Sequence, residues 1–136
     1  GTKQVTDGNV RKDFPGGFPG DTRSCFTTEG RTKAENDMFR WTARLLHWRQ
    51  GNEVITKGKQ TQFIPQNGVY VVARSYNGKN VMTVINGTSK AATMKAERYA
   101  EIIGDAQEAT NILTGHKINI SKDVKLAPRG VMVLEF

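Results

Sequence analysis

The chain has 136 residues, enough to bury a core without disulfide or metal staples. Apolar residues make up 37% and charged residues 24%, which excludes a disordered chain, and no apolar run is long enough for a membrane span. The net charge of +7 invites a nucleic-acid reading, but the excess is spread thinly along the chain with no basic block interleaved with stacking aromatics, so no nucleic-acid partner is expected.

The opening residues, "GTKQVTDGN", lack the basic-then-apolar pattern of a leader. Residues 1–31 read as loop, and their most distinctive part is "RKDFPGGFPGD" at 11–21. Pro15 and Pro19 lack a donor N–H and push the preceding phenylalanines into extended conformations. A folded-back loop is therefore expected, showing Phe14 and Phe18 beside Arg11, Lys12, Asp13 and Asp21. The two rings either anchor a linker to a core or form a ligand-facing lip. Cys25 stands alone, so no internal disulfide forms, and a buried or idle thiol is expected rather than a nucleophile.

Residues 32–51 carry the strongest helical signal. Thr32 and Glu35 have capping-box spacing, and Gly51 offers a left-handed stop. Ala34, Met38, Trp41, Leu45 and Trp48 recur on one face, which Phe39, Thr42 and Leu46 widen. A stripe of this width predicts packing against more than one neighbour.

The rest, 52–136, reads as short antiparallel strands. "GVYVVARSYNGKNVMTVING" is a hairpin: Val69, Val71, Ala73 and Ser75 alternate with Tyr70, Val72, Arg74 and Tyr76, Asn77-Gly78 makes a tight primed turn, and Val81 to Ile85 return. Further strands are expected at 59–64, 91–95, 99–103, 110–113, 117–120, 124–127 and 130–135. This spacing predicts a mainly β chain with an antiparallel β-sandwich of Greek-key type.

Catalytic groups are not evident. Glu53, Glu97, Glu101, Asp105, Glu108, Asp123 and Glu135 fall near turns or on solvent-side positions, without the facing carboxylate pair of a glycosidase. No Ser-His-Asp order, phosphate-cradling loop or metal-spaced cluster occurs, and the Asp7-Gly8-Asn9 turn has too few oxygen ligands after it for calcium. Catalytic residues, metals and cofactors are all expected to be absent.

"TDGNVRKDFPGGFPGD", the helix ending "LLHWRQGNEVITKGK" and the closing "LAPRGVMVLEF" together resemble the C-terminal end of a neopullulanase or cyclomaltodextrinase of the α-amylase superfamily, of the starch-utilisation type. The resemblance covers nearly the whole chain. It implies that 1–31 follow the last strand of a catalytic (β/α)8 barrel, that 32–51 are the last barrel helix and that 52–136 are the C-terminal sandwich domain. The family's catalytic carboxylates would then lie upstream of this chain, leaving it inactive by itself. The barrel becomes the expected partner, α-glucan oligosaccharides the expected ligands of the intact enzyme, and the periplasm the implied location.

The resemblance also implies that Asp7 and Arg11, at the spacing of the family's Asp-x-x-x-Arg pair, hydrogen-bond a sugar at the active-site rim, with Gly8 where proline is common. Phe14 and Phe18 would either offer rings to sugar faces or anchor the loop. The competing reading is an autonomous carbohydrate-binding module with a platform drawn from Tyr70, Tyr76 and Tyr99. Away from a barrel, the 32–51 apolar face is expected to drive self-association or to be covered by the loop 1–31.

Overall fold

The computed structural model describes residues 7–11 and 13–136; residues 1–6 and Lys12, part of the predicted loop, lie outside the described residues, as does the side chain of Asn9. The chain divides into two compact units, Gly1–Leu46 and His47–Phe136.

In the first unit the expected loop contains one helical turn, α1 (Asp7–Val10), and then runs irregularly to α2 (Lys33–Gln50). The capping box forms: the Thr32 N–H donates to Glu35 Oε2 at 2.7 Å and the Glu35 N–H donates to Thr32 Oγ1 at 3.3 Å. Arg23 adds a fork onto the same carboxylate, at 3.1 and 3.2 Å. The backbone N–H of Thr32, then the guanidinium, hold the Glu35 carboxyl below the usual glutamate range. A depressed carboxyl contributes stability above its unfolded pKa, about 4.3, and loses it as pH falls through the lower folded value. Helical circular dichroism of the chain should therefore be flat at neutral pH and decline in acid. Glu35→Gln, which keeps a capping side chain but cannot titrate, should show a shallower acid decline.

No residue of α2 is buried. Met38 is 64% and Leu46 58% exposed, and Phe39 and Trp41 are also open to solvent. Among the described residues, the loop ahead of the helix borders this face at Phe14, Phe26 and Arg31 but leaves Met38, Phe39 and Trp41 exposed. Gly51 is not the left-handed stop that the sequence suggested, because its φ is not positive. The chain instead breaks for a single turn and starts again as α3 (Glu53–Lys57), capped by Asn52 Oδ1, which accepts from the Val54 N–H at 3.0 Å.

The second unit is a two-sheet antiparallel sandwich. Strands β1 (Lys59–Gln62), β2 (Val69–Tyr76), β3 (Lys79–Asn86), β5 (Glu108–Asn111), β6 (His116–Asn119) and β8 (Val131–Glu135) form one sheet in the order β1-β2-β3-β8-β5-β6, while β4 (Ala92–Met94) pairs with β7 (Val124–Leu126). The β2–β3 turn has φ of 48° at Asn77 and 74° at Gly78, the doubly left-handed geometry that lets a two-residue loop follow the strand twist. It sets the register Val71↔Val84 and Ala73↔Met82, which sends these four side chains into one core. Met94, Leu126 and Val124 meet them from the small sheet, with Leu134 from β8.

Two departures from the sequence reading matter for function. Residues 99–103 are not a strand: a 3-10 turn at Ala96–Tyr99 runs into α4 (Ala100–Ile103). Tyr99, Glu101 and Ile103 alternate as in a strand, yet Tyr99 and Ile103 also stand four apart, and the helical spacing turns both into the core. The second departure is α3, whose Val54 and Ile55 pack with Val81 of β3, Val133 of β8 and the half-buried Trp48. Strand β3 is thus buried on both faces, Met82 and Val84 to the main core and Val81 to this smaller one. That is why its sequence reads as a continuous apolar run instead of a clean alternation.

Candidate functional site

The four residues singled out for sugar contact lie in the first unit. Asp7 opens α1 and Arg11 follows its last residue, so one helical turn brings the carboxylate and guanidinium to 3.7 Å, with side chains 90% and 80% exposed. A pair this open contributes roughly 1 kcal/mol or less to folding. Its value lies in presentation: an acceptor and a planar fork of donors, held side by side, can grip adjacent hydroxyls.

The Phe-Pro segment is built around Asp21. Its Oδ2 accepts from the Gly16 N–H at 2.6 Å and from the Phe18 N–H at 3.1 Å, closing the glycine-rich turn on itself. Gly16 has φ of 95°, and a Cβ there would lie 2.5 Å from Ser24 Oγ, so only glycine fits. Pro15 in turn accepts from the Cys25 N–H at 2.9 Å, which lays 24–26 against the loop. Phe14 pairs with Phe26 at a centroid distance of 4.9 Å, and Phe18 remains 59% exposed. Phe14 thus has a local ring partner, whereas Phe18 points to no such anchor among the described residues.

Among the described residues no hydrogen bond or ring contact joins Asp7 and Arg11 to Phe14 or Phe18. Cys25 is buried, its Sγ 3.7 Å from the Gly30 carbonyl, the idle setting expected of it.

Sequence reasoning missed Arg31. Its Nε donates to Asn36 Oδ1 at 2.8 Å, its Nη1 donates to the Cys25 carbonyl at 3.0 Å, and the guanidinium lies 4.1 Å from the Phe39 ring centroid. This fork fixes one side of an apolar groove of about 790 Å³ lined by Phe14, Pro15, Phe26, Ala34, Met38 and Phe39. Nothing in the local pattern "EGRTKAEN" distinguishes such an arginine from a solvated one, because its partners lie on the loop and the helix together. Among the described residues no group of three or more His, Cys, Asp or Glu could hold a metal, and no helix is long and apolar enough to cross a membrane.

In the second unit, the proposed aromatic platform does not assemble. Tyr99 is 2% exposed and meets Phe63 edge-on at 4.9 Å, and Tyr76 packs against the small core under α3. Three acids of this unit are tied to lysines: Glu53 to Lys57, Asp123 to Lys95 at 2.5 Å and Glu108 to Lys117 at 3.2 Å. Hydrogen bonds from Lys95 and the Ala96 N–H hold the Asp123 carboxyl below its ordinary range, the opposite of a raised general acid.

The family model described as the cyclo-malto-dextrinase C-terminal domain matches residues 60–135. Among solved structures, AmyP in complex with maltose superposes with a TM-score of 0.63 at 18% identity, covering 76% of this chain and 21% of that one. The noncanonic maltogenic α-amylase AmyB from Thermotoga neapolitana gives 0.60 at 17% identity, covering 75% and 26%. The α-amylase from Geobacillus thermoleovorans, complexed with acarbose, gives 0.63 at 18% identity, covering 85% and 25%. The likeness at such identities is one of fold, and the chain spans about a fifth to a quarter of the length of these structures.

Proposed function

The chain belongs to the cyclo-malto-dextrinase C-terminal domain family, and from that premise we propose that it is the non-catalytic C-terminal portion of an α-glucan hydrolase, supporting a catalytic (β/α)8 barrel. The enzyme is of neopullulanase or cyclomaltodextrinase type, acts on starch, pullulan or cyclodextrins, and works in the periplasm. Residues 1–31 lead from the last barrel strand, 32–51 are the last barrel helix, and 52–136 are the sandwich domain. Asp7 and Arg11 grip a sugar at the barrel rim, with Phe14 and Phe18 beside them.

One observation carries the reading. The first unit leaves Met38, Phe39, Trp41 and Leu46 open on a helix that has no buried residue, next to an apolar groove. A helix face this apolar is stable in water only when something covers it. The catalytic barrel implied by the family reading is the cover in the intact protein, and a second copy serves when the chain is alone.

Sedimentation of the chain tests this. Concentration-dependent self-association is expected, abolished by the double substitution Met38→Ser and Phe39→Ser, with no sugar released from pullulan or cyclodextrin. A monomer throughout the micromolar range would overturn the covered-face reading, and hydrolysis by the chain alone would overturn the non-catalytic one.

A further inference from the structure

A recess of about 660 Å³ in the second unit is lined by Trp48, Asn52, Tyr76, Asn77, Lys79 and Glu135. We propose that this recess is a binding site for a short neutral sugar, an α-glucan segment. Its volume falls in the range of small-molecule pockets, about 300–1,000 Å³. The rings of Trp48 and Tyr76, from the last turn of α2 and the end of β2, supply apolar faces of the kind that pack on a pyranose.

The polar lining is mixed. Lys79 brings an ammonium donor, Glu135 a carboxylate acceptor, and Asn52 and Asn77 bring amides able to do both. A sugar hydroxyl also donates and accepts, so each of these groups has a match on a polyol. Glu135 and Lys79 oppose one another in sign, and the Glu53 carboxylate at the edge is paired with Lys57, so the recess does not select an ion of either charge.

Two features show a recess held in shape. Asn52 is fixed at both ends, its Oδ1 on the Val54 N–H at 3.0 Å and its Nδ2 donating to Glu135 Oε1 at 2.8 Å. Asn77 sits in the left-handed turn. The indole N–H of Trp48, meanwhile, is buried without an acceptor, an unmet donor that a small shift of the ring toward a sugar oxygen would satisfy. The recess itself selects for a neutral polyol; the choice of an α-glucan rests on the family reading.

The test is a titration of the full chain with maltoheptaose followed by amide and indole nuclear magnetic resonance. The Trp48 indole resonance should move saturably in the millimolar range while that of Trp41 does not. Lys79→Met, on the exposed turn, and Glu135→Gln should each weaken the response about tenfold, as loss of one charge-assisted hydrogen bond does. Glu135→Gln touches Asn52, so Lys79→Met decides if that variant fails to fold. A still Trp48 resonance, or one confined to Trp41 and the loop, overturns the site. An equal response to cellohexaose overturns the α-glucan choice. Neither result bears on sedimentation, so the two readings fail separately.

Discussion

Replacing Asn86 by alanine should cost the sandwich about 3 kcal/mol and lower its melting temperature by roughly 12–24 °C. The side chain is 1% exposed at the end of β3, and all of its hydrogen-bonding capacity is used. Nδ2 donates to the Lys90 carbonyl at 2.7 Å and the Ala127 carbonyl at 2.8 Å, while Oδ1 accepts from the Thr88 N–H at 2.9 Å and its hydroxyl at 2.8 Å. One amide thereby ties the β3–β4 turn to the β7–β8 turn. Alanine would strip the amide's bonds at once; the Ala127 carbonyl keeps the Gly130 N–H and the Lys90 carbonyl can take the Thr88 hydroxyl, so the summed loss of these bonds across the two turns sets the size of the effect.

Asn86→Asp separates donor from acceptor. The carboxylate keeps the acceptor for Thr88 but turns a second oxygen toward two carbonyls, so the variant should be less stable at neutral pH than in mild acid, where the protonated form can donate once. Thr88→Ala, which removes a half-buried hydroxyl that donates to Asn86 Oδ1 or the Lys90 carbonyl and accepts from the Lys90 N–H, should cost only about 1–2 kcal/mol. Thermal denaturation followed across pH measures all three. An Asn86→Ala variant that melts within a few degrees of the parent would show that the two turns are held by something else.

The legibility of this fold in its sequence followed the range of the interactions involved. Asn77-Gly78 and the Thr32–Glu35 box depend on residues no more than three apart, and both formed as read. Asn86 bonds Ala127 across 41 positions, and no local pattern around "INGTSK" signals it. Strand 99–103 was misread because Tyr99 and Ile103 satisfy a period of two and a period of four together, and only the core decides between them. Helix α3 was missed because five residues give too short a window for periodicity, although Asn52 before it was a visible cap. Of the residues expected to contact sugar, the pairing of Asp7 with Arg11 was legible as a spacing of four, whereas the partner of Phe14 was not, since Phe26 lies twelve residues on in irregular chain.

Tyr99→Ala is the substitution with the largest expected effect on folding, about 4 kcal/mol, and it also weighs against the binding-module reading. The ring is fully enclosed and stands at 84° to Phe63, an edge-to-face pair that adds about 1 kcal/mol to the area it buries. Tyr99→Phe keeps the ring and should cost no more than about 1.5 kcal/mol, and the half-buried Tyr70 should tolerate alanine at about 1 kcal/mol. Chemical denaturation of these variants, paired with Phe63→Ala in a double-mutant cycle, measures the ordering directly. A surface platform predicts the reverse, an undisturbed fold with weakened sugar binding at Tyr99. Because a buried ring cannot stack on a ligand and still close its core, loss of folding in Tyr99→Ala would leave the half-buried Tyr70 and Tyr76 as the members of the expected platform that a sugar could reach, Tyr76 at the rim of the recess beside Trp48.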